Sequence, residues 1–532
     1  MQKAIEMGKK SATGSFQLFI GVAASTIIMA VGTIILARLI TQEEYGLYTV
    51  ALIPSATAIL FRDWGVNSAI VRYAANLRAE NKEEKAYEII VSGMLFEALM
   101  GLALSTILIS LSGFLASTVF QRPKISSLIT IASTTVFAGA LLTAAQSSFI
   151  GFERMEFNSL TNICQAIVKT VASPLLVFVG YGALGATLGY TISFIAAAII
   201  GLATLYLTTI RRLKSKSPTK LSITQTLKRM LHYGVPLSIA SIISGFLVQF
   251  YAFLMAIYCT DAMIGNYQVA TQFATLLTFF TIPISTVLFP VFSKINPQEE
   301  RELLQTVFTS SVKYTAMLLI PATMAVMVLS KPMIGTLFGE KWADAPFFLS
   351  IYVINYLFTI FGNLSLGSLL TGLGKTKLQM KLSLITFIVG VPLSLLLIPT
   401  MGIVGLIITS ITAGIPSMCL GLHWIWKSYK AKADIKSSVI ILMASSIAAT
   451  AAFIIINLIT CADWIELTVG GFTFIITYLI TAPTIGAINQ TDINNLKTMF
   501  SGLGVISKLL NIPLATMEKL SKIYDKIPHF KF

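Results

Sequence analysis

Apolar residues in this chain come in long stretches separated by short polar connections. A run of roughly 17–25 apolar residues is the length that crosses a ~30 Å hydrocarbon core as an α-helix. Such runs fall at approximately 15–40, 46–70, 87–111, 125–150, 157–180, 183–210, 232–257, 265–292, 312–334, 347–371, 382–398, 402–426, 437–460 and 464–487. The pattern therefore predicts an all-α polytopic membrane protein of about fourteen transmembrane helices. With no water in the bilayer core, each span closes its own backbone hydrogen bonds as helix.

The same pattern repeats along the chain. "EEYGLYTVA" (43–51) and "AMIGNYQVA" (262–270) share G-x-Y-x-V-A, which places Gly46 on Gly265, Tyr48 on Tyr267, Val50 on Val269 and Ala51 on Ala270. "GYGALGATLG" from Gly180 aligns with "PTMGIVGLII" from Pro399, with Gly182 on Gly402 and Gly185 on Gly405. "GFERMEF" from Gly151 aligns with "GLGKTKL" from Gly372, with Arg154 on Lys375. Matches at nearly one offset point to duplication of a six-helix unit, and an even number of helices makes the two copies run in the same direction. The expected organisation is an N-terminal six-helix lobe (1–210), a cytoplasmic linker (211–231), a second six-helix lobe (232–426), two additional transmembrane helices (437–487) and a cytoplasmic amphipathic tail (488–532). Two parallel lobes enclose a cavity that rocking exposes to one side and then the other, so transport is the natural reading. In the tail, Phe500, Leu503, Ile506, Leu510, Leu514 and Met517 recur every three or four positions among lysines. That spacing predicts helices lying on the inner membrane surface.

Composition agrees: 55% of residues are hydrophobic, 11% are charged and the mean hydropathy is +0.81. The net charge of +15 invites a nucleic-acid reading, but its placement argues otherwise. Most Lys and Arg fall in the N-terminus, the even-numbered connections and the tail, which predicts a multi-pass plasma-membrane protein with both termini cytoplasmic and no nucleic-acid partner. The densest cluster, from Arg211 to Arg229, is then a topology-setting linker beside anionic lipid. The basic start and long first run predict a retained first helix instead of a cleaved signal. The four cysteines show no C-x-x-C, and His232, His423 and His529 are scattered, so neither a metal nor a cofactor is expected. "TGLGKTK" resembles a P-loop end, but the glycine that motif needs is Leu369. Short outer connections leave no room for the soluble domain of a membrane glycosyltransferase, and the chain reads as a non-enzyme.

Buried polarity supplies the candidate site, because ionisable groups inside a bilayer are retained where they face a cavity or a partner. Lys169 lies about 18 Å into the fifth run at 1.5 Å per residue. Asn158, Asn162, Gln165 and Lys169 recur at helical spacing and share one face. Glu97 in the third run either pairs with Lys169, or titrates or binds a cation while Lys169 meets an anionic substrate group. Arg62 and Asp63 in the second run either pair together or present a bidentate fork to a phosphate. In the second lobe fixed charge is sparse, and Gln249, Gln268 and Gln272 form short amide stripes suited to helix–helix hydrogen bonds or to substrate. A charged lobe facing a neutral one suits a ligand with an anionic end and a polyhydroxylated body.

"GKKSATGSFQLFIGVAASTIIMAVGTIILARLITQEEYGLYTVA", "RDWGVNSAIVRY", "GYGALGATLGYTIS", "IGNYQVA…IPISTVLFPVFSKI" and "TGLGKTK" occur in that order. Together they resemble the polysaccharide transport (oligosaccharide flippase) family of the multidrug/oligosaccharidyl-lipid/polysaccharide exporter superfamily. The resemblance implies twelve core helices in two bundles around a V-shaped cavity, with two appended helices. It also implies flipping of a polyprenyl- or dolichyl-linked oligosaccharide, a lipid-linked substrate drawn from the bilayer; glycosyltransferases of the same pathway are candidate partners that the sequence itself does not assign. Arg62 and Lys169 are counterparts in kind of the arginines that meet pyrophosphate in related lipid II flippases. A multidrug or small organic cation exporter of the same superfamily is the rival reading.

Overall fold

A computed structural model describes residues 2–80, 82–214, 222–275, 277, 292–459, 461–500 and 514–520. Every regular element among them is helical. By internal packing the chain forms two compact units, Met1–Gln268 with Ser394–Leu406, and Val269–Leu393 with Ile407–Phe532.

The first unit contains α1 (Gln2–Leu39), α2 (Gln42–Leu60), α3 (Val66–Ala79), α4 (Glu83–Phe114), α5 (Ser126–Gly151), α6 (Met155–Leu176), α7 (Gly182–Leu205) and α8 (Ile223–Tyr258). It also holds most of the first turns of α9 (Asp261–Thr275). At its centre runs α5, which buries a small-residue surface that includes Ala132, Ser133, Gly139, Ala140, Ala144 and Ser148. Small side chains let backbones approach closely where lipid gives helices no hydrophobic reason to associate. Their hydroxyls bond back into the helix, Ser133 to Ile129 O at 2.6 Å and Ser148 to Ala144 O at 2.8 Å.

The repeated motif has a direct structural meaning in this unit. A side chain on Gly46 would collide with the Asp261 carbonyl, and one on Gly265 with the Gln42 carbonyl. Each copy of G-x-Y-x-V-A thus seats the start of the other copy's helix. The two other matches are also repeated in backbone geometry. Gly182 has φ 48° and ψ −130°, and Gly402 has φ 57° and ψ −130°, a region closed to side-chain-bearing residues. The turns at 151–154 and 372–375 close identically, Arg154 N to Phe149 O and Lys375 N to Leu370 O, both at 2.8 Å.

Among the described residues nine helical runs are long and apolar enough to cross a membrane, or ten if Ala345–Phe361 and Asn363–Gly372, bent by 57°, form one span. This is fewer than the fourteen expected. Met155–Leu213 (59 residues) and Thr376–Tyr429 (54 residues) are each more than twice one span. Much of the predicted run 265–292 lies outside the described residues. The predicted run 46–70 is interrupted at 61–65, leaving a 19-residue α2. Helix α8 begins at Ile223, inside the stretch expected as linker, and buries Met230 fully against Val66, Ala69 and Ile70.

The second unit contains α10 (Arg301–Phe338), α11 (Ala345–Phe361), α12 (Asn363–Gly372), α13 (Thr376–Thr412, whose 394–406 stretch packs with the first unit), α14 (Ile415–Tyr429), α15 (Ile435–Leu458), α16 (Asp463–Thr484) and α17 (Gln490–Phe500). Here the tail departs from its expected place on the membrane surface. Ile488, Ile493, Leu496, Leu514 and Met517 are buried in one cluster with Ala316, Ile320, Ile441 and Ala448. An amphipathic face covers protein as readily as lipid, and periodicity cannot tell the two apart. A polar latch holds it: Lys313 pairs with the buried Asp492 at 2.7 Å, and Asn495 donates to the Tyr314 hydroxyl at 2.7 Å. Phe500 belongs to this tail, while Leu503, Ile506 and Leu510 lie outside the described residues. Asp492→Ala leaves Lys313 without its carboxylate and is expected to lower thermal stability by about 2 kcal/mol, read from melting of the purified protein.

Candidate functional site

Local backbone geometry places the first charged side chains. After α2 ends, Trp64 (φ 47°) and Gly65 (φ 76°) turn the chain through left-handed conformations into α3. Arg62 and Asp63 therefore sit on a break in the predicted helix. Asp63 accepts the Asn67 amide at 2.8 Å and caps α3, so it is not the partner of Arg62. The Arg62 side chain turns inward, 3% exposed, and its Nε lies 3.0 Å from Glu97 Oε2. Its Nη2 donates to Thr143 Oγ1 at 2.8 Å and its Nη1 to Val136 O at 3.3 Å. Glu97, fully buried on α4, also accepts Asn67 Nδ2 at 3.0 Å. Gly139 on α5 leaves space for the guanidinium, since the nearest atom to a side chain there is Arg62 Nη1.

Of the two readings left open for Glu97, pairing with Lys169 is not the one this arrangement shows. Glu97 belongs to Arg62, and Lys169 lies elsewhere, its Nζ 5.2 Å from the centre of the Tyr190 ring on α7. Tyr190 continues an aromatic series, with Tyr48 at 6.3 Å and Phe194 at 5.0 Å. A cation over an aromatic face is attracted by the ring quadrupole. Among the described residues Lys169 makes no ion pair.

A cavity of about 420 Å³ opens beside the Arg62 network. Its wall carries Arg62, Asp63, Asn67, Thr143, Gln146 and Asn158, and Ser238 and Ser241 contribute from α8. An amide chain backs it: Gln146 donates to Asn162 Oδ1 at 2.8 Å, and Asn162 donates to Asn158 Oδ1 at 3.0 Å. Of the polar face predicted on α6, Asn158 and Asn162 thus join this network, while Gln165 and Lys169 lie outside the cavity wall. Gln249 on α8 and Gln268 and Gln272 on α9 are half-buried and also stand outside it. Asn67, Thr143, Gln146, Ser238 and Ser241 were missed by the sequence reading. Thr143 and Gln146, three apart on one apolar helix, carried a helical spacing signal that was available.

At one end of the unit α3 and α8 meet backbone to backbone at Gly65 and Gly234. Arg72 lies 4.4 Å from the Tyr233 ring centre and Arg229 lies 4.6 Å from that of Tyr73, so each helix lays a cation on the other's aromatic. At the other end Arg122 bridges α8 and α9. It pairs with Asp261 at 2.5 Å and donates to the carbonyls of Cys259 and Ala256. Cationic side chains thus tie α8 to α3 at one end of the unit and to α9 at the other.

A family model described as polysaccharide biosynthesis protein matches residues 35–346. A Haloferax volcanii protein named as a probable low-salt glycan biosynthesis flippase is 22% identical over 49% of this chain and 55% of its own length. A lipopolysaccharide biosynthesis protein of Escherichia coli is 24% identical over 69% of this chain and 72% of its own. Among solved structures, a lipid II flippase in an inward closed conformation superposes with a TM-score of 0.71 at 16% identity, covering 87% of this chain and 97% of that one. A multidrug resistance MATE family transporter of the MOP superfamily, inward facing, gives 0.64 at 16% identity over 77% and 96%.

Proposed function

The chain belongs to the polysaccharide biosynthesis protein family, and from that footing we propose that it flips a lipid-linked oligosaccharide from the cytoplasmic to the outer leaflet by alternating access. The carrier in this reading is a polyprenyl or dolichyl phosphate or pyrophosphate. The protein works as a transporter, not an enzyme, in the plasma membrane with both termini cytoplasmic. Glycosyltransferases that build the glycan are its natural partners.

One observation carries the reading: Lys169 stands well inside α6 with an aromatic neighbour and, among the described residues, no carboxylate. Lys169 is half-buried, and a cation at that depth in a bilayer without a counter-ion is costly, a cost that an anionic ligand group removes. A cation exporter needs the opposite, an unpaired carboxylate, yet Glu97 is already held by Arg62. The amides and hydroxyls around the cavity offer hydrogen bonds of the kind a sugar accepts and donates. Lys169→Ala is expected to abolish flipping with normal insertion, while Lys169→Arg keeps most of it. Full activity of the alanine variant in a sidedness assay removes Lys169 from the site.

The function itself is tested on cells depleted of the protein. A polyprenyl-phosphate-linked oligosaccharide should accumulate on the cytoplasmic leaflet, protected from an externally added glycan-cleaving enzyme. Unchanged amount and sidedness, with reduced efflux of toxic cations, would instead establish the exporter.

A further inference from the structure

A second cavity lies in the second unit, away from the cluster around Arg62. It has a volume of about 340 Å³, with Phe308 of α10, Phe361 of α11, Leu422 of α14 and Ile435 of α15 forming an apolar wall. Trp426, Lys432 and His423 stand at its edge. Its depth in the membrane follows from the sequence: one apolar run ends at Tyr429 and the next begins at Ile435, so the mouth lies at the boundary between hydrocarbon and water. Trp and Lys concentrate at that boundary because each combines an apolar body with a polar end.

The cations here are unusually placed. Lys430 occupies the left-handed position that ends α14 (φ 57°), where glycine is the ordinary residue. Its Nζ lies 5.2 Å from the Trp426 ring centre, and that of Lys432 lies 6.0 Å away. Neither has a carboxylate partner among the described residues, and the nearby Asp434 is engaged in capping α15 through Ser437 N at 3.0 Å. The connection is held in place from α10, by Arg301 Nε to Tyr429 O and Thr309 Oγ1 to Lys432 O, both at 3.0 Å. Lys432 thus lines an apolar cavity at headgroup depth, and Lys430, on the same backbone-anchored connection, shares the Trp426 ring with it. A ligand that fits has a phosphate outside and methylenes inside.

We propose that this cavity binds an anionic phospholipid of the surrounding bilayer, with its phosphate between Lys430 and Lys432 and its first acyl methylenes against Phe308, Phe361 and Leu422. Zwitterionic lipid fits the apolar wall equally well but gains little from the two lysines. The bound lipid ties α14, α15 and α10 together where the appended helices join the repeat.

The test uses the full chain in detergent micelles, titrated with phosphatidylglycerol brominated along its acyl chains, and reads quenching of the fluorescence that Trp426→Phe removes. Brominated phosphatidylglycerol should quench at lower concentration than brominated phosphatidylcholine. Lys430→Gln and Lys432→Gln should each weaken the anionic lipid roughly fivefold. Ala433→Phe, which fills the cavity and keeps both lysines, should remove the quenching. Both lysines are exposed, so their variants should melt like the parent protein. Equal quenching by the two lipids, indifferent to the lysines, would mean bulk contact and overturn the site. Displacement by inorganic phosphate alone would make it a soluble-anion site, and stronger quenching by a brominated polyprenyl phosphate would give it to the transported lipid. Either result also overturns the proposal.

Discussion

Arg62→Ala is expected to destabilise the protein by about 3–5 kcal/mol and to abolish transport. The loss comes from what remains, because Glu97 is fully buried and its carboxylate would then lie among apolar helices without a counter-charge. Asn67 supplies one hydrogen bond but no charge. Joint replacement, Arg62→Met with Glu97→Met, removes both charges and should restore most of the melting temperature, since an apolar pair of similar volume costs little in place of a buried ion pair. Stability and transport therefore separate in the double variant. If the guanidinium also meets substrate at the cavity wall, the stable double variant remains inactive. Recovery of transport with stability would assign Arg62 to scaffolding alone.

The second large effect is expected at the repeated motif. Gly46→Leu and Gly265→Leu each drive a side chain into the backbone that starts the other copy's helix. Neither carbonyl can move without separating α2 from α9, because rigid backbone, and not a flexible side-chain end, is what the new carbon meets. Cys259 reports on that separation: the residue is 4% exposed and its carbonyl is held by Arg122. With the three other cysteines replaced by serine, maleimide labelling of Cys259 should rise roughly tenfold or more in both variants, the signature of a population shift of about 1.4 kcal/mol. Unchanged labelling in two folded variants would show that this contact does not hold α2 and α9 together.

The candidate site was legible in its residue types and not in its pairings. Glu97, Arg62 and Lys169 stand out because each is an ionisable group in an apolar run, whatever the fold. Glu97 is 35 positions from Arg62 and 72 from Lys169, and the choice between them depends on how α4 is rotated and where α2 ends. Both are tertiary quantities. The break at Trp64 and Gly65 left little trace in hydropathy, since Arg62–Asp63–Trp64–Gly65 is a short insertion in an otherwise apolar stretch. The tail was legible as amphipathic but not in what covers it, because Ile493 and Leu496 obey one periodicity for lipid and for protein.

By itself the sequence determined that this is an all-helical membrane protein built on a duplicated pattern. Peptide groups in hydrocarbon must be satisfied within each span, and glycines at Gly46, Gly265, Gly182 and Gly402 mark backbone positions that admit no side chain. Only the tertiary structure decided that Arg62 and not Lys169 neutralises Glu97, that the tail packs into the second unit, and that the two copies of one motif seat each other. Those outcomes depend on which helix faces meet, and that is settled by the summed packing of many small contacts that no single stretch of sequence encodes.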